Sequence, residues 1–200
     1  GKWQTEFHRN ETSTSPLPLS QAARQAEKNW NRLKSPGLSC TMPPSLPWLL
    51  DLPYLYELKV NDQEVILHHE VFDVVRTVPL NGKPAKADRD GFFGVVTSRV
   101  EGGTLVVESS GYPASAWGLA GVATPLAGLT EIPSSAQKKL TERYSVSEDG
   151  NTLTIAYTVS DPVYLTKPYS GTVKLDRVSA GTPMEYKCDP ESATEFTRVH

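Results

Sequence analysis

From residue 54 onward, apolar and polar residues alternate with the period of two that half-buried β-strands require. Turn residues separate the alternating runs, and Gly102-Gly103 between two such runs is a strong hairpin signal. No strand–helix–strand alternation interrupts this series, so about eight or nine strands in consecutive hairpins are expected. The predicted strands are 54–60, 65–80 (with a possible break near Glu70), 93–100, 104–109, 139–147, 152–160, 164–178 and 184–188.

A series of antiparallel hairpins exposes two edge strands unless the sheet closes on itself. The sequence therefore predicts a mostly β fold, an antiparallel meander closed into a small lipocalin-like (calycin-type) barrel with one short N-terminal helix. A barrel of about eight strands leaves room inside for side chains or for one small ligand. A two-sheet sandwich is the alternative architecture.

The 200 residues divide into two parts by composition. Residues 1–53 are predicted to form an extended arm, a short helix and a Pro-rich wrap, and residues 54–200 the antiparallel β-barrel domain. Ser20 is the expected N-cap of the helix, and Pro36-Gly37 is its expected stop. Residues 111–136, rich in Gly, Ala, Pro and Ser, are expected to form a long surface excursion or a lid over the mouth of a cavity.

The cysteine content, the net charge and the length of the apolar runs indicate where the protein is located and which partners it can bind. The chain starts at Gly1 without a Met, as a processed or trimmed chain does, and its only cysteines are Cys40 and Cys188. We expect them to form a long-range disulfide in a periplasmic or secreted protein, with two buried free thiols as the alternative. A net charge of −3 and a pI near 5.8 argue against nucleic-acid binding, and no apolar run is long enough for a membrane span.

Several short motifs occur in a characteristic order over residues 38–190. The chain resembles a widespread family of exported, largely uncharacterised bacterial β proteins that carry W-E-G-D-T-L-V-V, T-E-R-F and D-P-x-x-Y-T-x-P motifs. Val100 stands in place of the family's Trp, and Gly103 in place of its Asp. The resemblance implies export and a mostly β fold, and it implies no established reaction. The matching segments are 40–47, 75–83, 100–107 (V-E-G-G-T-L-V-V), 140–144 (L-T-E-R-Y), 161–168 (D-P-V-Y-L-T-K-P) and 186–188 (Y-K-C).

Two adjacent histidines lie inside an apolar run. Neighbouring strand residues face opposite sides, so only one of His68 and His69 can point inward. His69 shares its face with Val65 and Leu67, and an inward His69 could act as a general base. The alternative is a histidine hydrogen-bonded at the surface or at a strand bend. Opposite-facing histidines do not form a metal site, and none is predicted.

Two charged residues lie on apolar strand faces. Glu142 shares a face with Leu140 and Tyr144, and Arg76 lies on the face of Val78. A buried Glu142–Arg76 pair would avoid the cost of an isolated charge. Such a pair could hold a substrate carboxylate or phenol, or it could be purely structural.

A tyrosine in a later strand is a further candidate for catalysis. Tyr157 alternates with apolar residues and is expected to face the interior, where it could act as an acid. His69, Glu142 and Tyr157 are therefore the candidate catalytic residues. The candidate substrate-binding residues are Arg76, His68, Tyr164 and Trp117.

Two functions of different classes remain open. The first is an exported β-barrel protein that binds a small apolar or aromatic molecule in its interior. The second is a cofactor-free lyase, isomerase or hydratase that uses an inward His, Glu and Tyr as acid–base groups in the same cavity. A structural or partner-binding role is a third possibility. No cofactor is expected, and the oligomeric state is left open. A bulge near Glu70 would reverse the faces assigned after it.

Overall fold

The computed structural model describes residues 3–14, 16–41, 54–120, 131–178 and 187–195. Within these ranges the chain forms two α-helices, twelve β-strands and a few short 3-10 turns. The helices are α1 (Gln21–Lys28) and α2 (Pro190–Glu195). The strands are β1 (Trp3–Thr14), β2 (Tyr56–Val60), β3 (Glu64–His69), β4 (Val74–Pro79), β5 (Ala85–Lys86), β6 (Val95–Glu101), β7 (Thr104–Ser110), β8 (Ser115–Ala120), β9 (Ile132–Ser134), β10 (Lys139–Val146), β11 (Thr152–Ser160) and β12 (Tyr169–Val178).

Ten strands form one antiparallel sheet, in the order β4-β3-β2-β1-β12-β11-β10-β7-β6-β5. Strands β8 and β9 pair with each other in a second, two-stranded sheet. The predicted mostly β, antiparallel and hairpin-rich fold is confirmed. The glycines of the β6–β7 turn, Gly102 and Gly103, have φ values of +54° and +83°, which suit the two-residue turns that follow the twist of a hairpin.

Strand β1 is the main difference from the expected architecture. Residues 1–18 contain few apolar side chains and were expected to form an extended arm, yet β1 lies inside the sheet between β2 and β12. Its register with β12 shifts between Arg9 and Glu11. Among the described strands, the first along the chain thus pairs with the last along the chain. Hydrogen bonding to two neighbouring strands, rather than an alternating apolar pattern, makes this segment a strand.

The core lies on one face of the large sheet, as alternation predicts. In β10 and β11, buried side chains alternate with more accessible ones along most of each strand. The predicted break near Glu70 is also present, because β3 ends at His69 and β4 starts at Val74. The buried apolar side chains of the sheet include Leu58, Leu67, Val78, Val96, Val107, Leu140, Leu153, Ile155, Val159, Val173 and Leu175.

The strand ladders of the described residues do not close the large sheet into a barrel. β4 and β5 are the two ends of the strand order, and the ladders formed by the described residues do not join them. The two ends nevertheless meet, because the Thr77 N–H donates to the Ala87 carbonyl at 2.7 Å. Next to this bond, the Ser98 hydroxyl of β6 donates to the Pro79 carbonyl of β4.

The start of the N-terminal helix and the pairing of the cysteines agree with the prediction, whereas the helix is shorter than predicted. Ser20 is the N-cap of α1, and its hydroxyl accepts from the Ala23 N–H at 3.2 Å. The helix ends at Lys28, earlier than the predicted stop at Pro36, because short 3-10 turns occupy the residues that follow. Cys40 and Cys188 form a disulfide across a sequence separation of 148 residues. This bond ties the segment after α1 to the segment before α2.

Some predicted segments lie outside the described residues. They are 42–53 of the Pro-rich wrap, 121–130 of the expected lid and 184–186 of the expected last strand. In the described part of the expected excursion, residues 115–120 form β8 and residues 132–134 form β9.

Candidate functional site

A buried ion pair lies at the centre of the candidate site. Arg76 comes from β4 and Glu142 from β10, and alternation places both on the core face of their strands. Arg76 Nη1 donates to Glu142 Oε1 at 3.0 Å, and Nη2 donates to Oε2 at 2.7 Å. The two residues are 1% and 0% exposed. The predicted pairing is confirmed, and its bidentate geometry is the strong form of a charge-assisted hydrogen bond.

Tyrosine hydroxyls extend this pair. The Tyr144 hydroxyl donates to Glu142 Oε1 at 2.6 Å, and it lies 3.5 Å from the Tyr56 hydroxyl. The ring of Phe93 lies under the guanidinium, 5.5 Å from Arg76 Cζ. The phenol of Tyr112 is close enough to interact with the charges of Arg76 and Glu142. We call Tyr56, Arg76, Tyr112, Glu142 and Tyr144 the central cluster.

Burial sets the protonation of the phenols. Desolvation raises the pKa of Tyr144 well above its usual value, and the negative charge of Glu142 raises it further. Desolvation likewise raises the pKa values of Tyr56 and Tyr112, although the charge of Arg76 lowers them in part. All three phenols therefore stay protonated at neutral pH and can serve as hydrogen-bond donors.

The guanidinium stays charged despite its burial. Desolvation lowers the pKa of Arg76, but the charge and hydrogen bonds of Glu142 outweigh that effect and raise the pKa well above its ordinary value. The side-chain nitrogen Nε of Arg76 is buried and has no hydrogen-bond partner among the described residues. The buried hydroxyls of Tyr112 and Ser109 lie near each other, and neither makes a regular hydrogen bond among the described residues. Unused donors of this kind are rare in protein interiors.

A second buried cation lies beside the central cluster. Lys138 is 0% exposed, and its Nζ lies 4.3 Å from the centroid of the Tyr112 ring. The same Nζ is 3.3 Å from the Gly118 carbonyl oxygen and 3.3 Å from Ser134 Oγ. Burial lowers the pKa of Lys138 to about 7, an effect that the charge of Asp161 partly opposes. This amine therefore changes its charge near neutral pH.

Two predicted catalytic residues lie close to the central cluster. Tyr157 is directly opposite Glu142 in the β10–β11 register, and such neighbours share a face. His69 is directly opposite Tyr56 in the β2–β3 register, with its ring 5.4 Å from the Tyr56 ring in an edge-to-face arrangement. His69 and Tyr157 are both buried, so the faces predicted for them are correct.

Three predicted substrate-binding residues lie elsewhere. His68 faces the other side of β3, where its Nε2 is 2.8 Å from Asp73 Oδ1. Trp117 of β8 is buried, and its ring meets that of Phe72 edge to face at 6.0 Å. Tyr164 lies at the corner before β12, where its carbonyl accepts from the Ser20 N–H at 3.0 Å. Among the predicted binding residues, Arg76 is the one that belongs to the central cluster.

Asp161 organises this corner. Its Oδ2 accepts from the Ser135 N–H at 2.6 Å, and its Oδ1 accepts from the Val163 N–H at 3.1 Å. These bonds give Asp161 a structural role at this corner. The same carboxylate also acts on Lys138 through its charge.

Sequence reasoning missed Lys138, Ser134 and Tyr112. Lys138 directly precedes β10 and has the same parity as Leu140 and Glu142, so extending the alternation by one step would have placed it inside. Tyr112 lies two residues beyond β7, past Gly111 with a φ of +71°, where simple alternation no longer applies.

No metal site or membrane helix is found in the described parts of the chain. No group of three or more His, Cys, Asp or Glu side chains there is arranged to hold a metal ion. None of the helices in these parts is long and apolar enough to cross a membrane. Comparisons with protein-family models, curated proteins and solved structures find no match to this chain.

Proposed function

We propose that this chain is an exported protein whose ten-stranded sheet closes into a barrel and binds a small aromatic molecule next to the central cluster. The ligand carries a hydrogen-bond acceptor, such as a carbonyl or carboxylate oxygen. Closure is supported by the bond between Thr77 of β4 and Ala87, which directly follows β5, and by the contact between Ser98 of β6 and Pro79 of β4. The Cys40–Cys188 disulfide supports export, because disulfides persist in oxidising compartments.

The unused N–H at Arg76 Nε is the observation that carries the binding proposal. It is buried among aromatic rings, and a buried donor without an acceptor costs about 1–3 kcal/mol. An acceptor atom on a ligand would remove that cost. The buried ring of Phe93 lies beside the guanidinium, 5.5 Å from Arg76 Cζ, and aromatic surface of this kind suits an aromatic ligand.

Binding is favoured over the acid–base alternative by how Glu142 is engaged. Its Oε1 accepts from both Arg76 and Tyr144, and its Oε2 accepts from Arg76. A carboxylate held in this way is a poor general base, because taking up a proton would break the ion pair. A lyase, isomerase or hydratase would therefore have to rely on His69 and Tyr157.

Native mass spectrometry and thermal unfolding test the proposal. The probes are 4-hydroxybenzoate, cinnamate, benzaldehyde and a flavone, with cyclohexanecarboxylate as the non-aromatic control. A bound probe at about 100 times its Kd stabilises the folded state by about 2.7 kcal/mol and raises the Tm. A probe recovered unchanged supports binding, and a converted probe supports the enzymatic alternative.

Matched variants locate the site. Arg76→Lys keeps the charge but removes the Nε–H, and Tyr112→Phe keeps the ring but removes the hydroxyl. Both are expected to weaken probe binding, Tyr112→Phe by about 2- to 10-fold, the value of one hydrogen bond. Arg99→Lys is the control, because Arg99 lies at the surface with Glu101 and Glu108. Equal binding by the wild type, Tyr112→Phe and Arg76→Lys would exclude this site. Absence of binding by every probe, with a buried water on Arg76 Nε in a crystal structure, would refute the proposal.

A further inference from the structure

Ser134 and Lys138 form a buried hydrogen-bonded pair outside the Arg76–Glu142 ion pair. Ser134 ends β9, Lys138 immediately precedes β10, and Ser134 Oγ lies 3.3 Å from Lys138 Nζ. Ser134 is 2% exposed and Lys138 is 0% exposed. A hydroxyl in contact with a desolvated amine is one of the arrangements that activate a nucleophile.

The Gly118 carbonyl orients the amine. Lys138 Nζ donates to this oxygen at 3.3 Å. The same Nζ also donates to Ser134 Oγ at 3.3 Å, and in its neutral form the amine would instead accept from the Ser134 hydroxyl across this contact. Gly118 also makes the close approach possible, because a Cβ at this position would lie 1.8 Å from Ser134 Oγ.

The surroundings allow the amine to take up and release a proton. Burial lowers the pKa of Lys138 to about 7, against the partly opposing charge of Asp161. About half of the amine is then neutral at pH 7, compared with less than about 0.1% for an ordinary lysine. When Lys138 is protonated, the face of the Tyr112 ring at 4.3 Å stabilises the ammonium.

We propose that Ser134 is a nucleophile and Lys138 its general base for acyl transfer from a small ester. Lys138 Nζ takes the hydroxyl proton, Ser134 Oγ bonds to the ester carbon, and the carbonyl electron pair moves to its oxygen. Collapse of this intermediate breaks the bond to the alcohol, which leaves with the proton from Lys138. Water then cleaves the acyl-serine in the same way, so that ester and water give acid and alcohol. This activity is independent of the proposed ligand site at Arg76.

Covalent labelling of the folded protein tests this pair. The probes are p-nitrophenyl acetate and a short-chain alkyl fluorophosphonate, with peptide mapping by mass spectrometry. We expect a single adduct on Ser134, formed at a rate that rises with pH and levels off above a midpoint near pH 7. Ser134→Ala abolishes the adduct. Ser135→Ala is the matched control, because Ser135 is the adjacent serine but its hydroxyl is bound to Asp161.

Lys138→Arg examines the role of the base. Arginine keeps the positive charge but does not release its proton at neutral pH, so labelling is expected to fall at least about 100-fold. If a variant does not fold, the wild-type protein still tests the proposal through the position of its adduct and the pH dependence of the labelling rate. No adduct after prolonged incubation, an adduct confined to exposed lysines such as Lys139, or a rate without a midpoint near neutral pH would overturn the proposal. Loss of aromatic binding in Arg76→Lys with Ser134 labelling retained would show that the two sites are separate.

Discussion

The phenol of Tyr112 interacts with two buried cations at once. Lys138 Nζ lies 4.3 Å from the centroid of its ring, while its hydroxyl is close enough to Arg76 for the charge of the guanidinium to lower the phenol pKa against the larger effect of burial. Through this side chain the central cluster and the Ser134–Lys138 pair form one continuous polar region.

The buried ion pair should be costly to break from one side. Glu142→Gln leaves the guanidinium of Arg76 without its counter-charge, and we expect a loss of about 3–5 kcal/mol in the free energy of unfolding. The double variant Arg76→Met/Glu142→Gln should lose less than the two single variants together, because neither charge then remains. Urea unfolding of all four proteins measures the coupling. Glu101→Gln, which removes a surface partner of Arg143, is the control and should have little effect. Additive single losses would contradict the predicted coupling.

Stability should rise with pH above neutrality because of Lys138. Its folded-state pKa is about 7, below its ordinary value in an unfolded chain, so between pH 7 and about 10 the unfolded state binds more protons. The free energy of unfolding should then increase by up to about 1.4 kcal/mol per pH unit in this window. Below pH 7 Lys138 should add little pH dependence, because its amine is protonated in both the folded and the unfolded state. Above pH 10 the buried tyrosines have the opposite effect, because their raised pKa values keep them protonated only when folded.

Urea unfolding at half-unit steps from pH 6 to 9.5 measures this slope. Lys138→Met, which removes the titrating amine and keeps an unbranched apolar side chain, should show a flatter profile over the same range. Identical profiles for wild type and Lys138→Met would show that the amine titrates normally in the folded protein.

Two glycines separate the cost of backbone strain from that of a steric clash. Gly94 and Gly102 both have positive φ, +68° and +54°, so an alanine is strained at either position. A Cβ on Gly94 would lie 2.3 Å from the Ser110 carbonyl oxygen, whereas nothing lies within 4 Å of a Cβ on Gly102. Gly94→Ala should therefore lower the Tm clearly more than Gly102→Ala does. Equal shifts in thermal unfolding would mean that the β6–β7 hairpin relaxes around the added methyl group.

Much of the fold was predictable because alternation is a local signal. The same face assignment correctly placed Arg76, Glu142 and Tyr157 in the interior, since each is the single polar residue in an apolar series. The ion pair followed from the cost of burying either charge alone. The sequence could not indicate which phenols would surround that pair, because Tyr56 and Tyr112 reach it from distant strands and loops.

The missed features depend on contacts that are distant in sequence. Strand β1 has no apolar alternation, and it is a strand because β2 and β12 flank it. Lys138 looks like part of a solvated turn in the sequence Ser134-Ser-Ala-Gln-Lys-Lys139. Its amine is enclosed by the Gly118 carbonyl of β8 and by the Tyr112 ring, which are 20 or more residues away in sequence.

The pairing of β1 with β12 also determines when the sheet can be completed during synthesis. β1 leaves the ribosome before the other strands of this sheet, yet one of its two partners does not exist until the chain has been made through Val178. Until then β1 is either unpaired or paired with β2 alone, and in the second case its other edge is open to other chains. Its sequence, Trp-Gln-Thr-Glu-Phe-His-Arg-Asn-Glu-Thr-Ser-Thr, is mostly polar and charged, which discourages association at such an edge. The scarcity of apolar residues, which made β1 difficult to predict as a strand, thus suits a segment whose edge stays open while the sheet is incomplete.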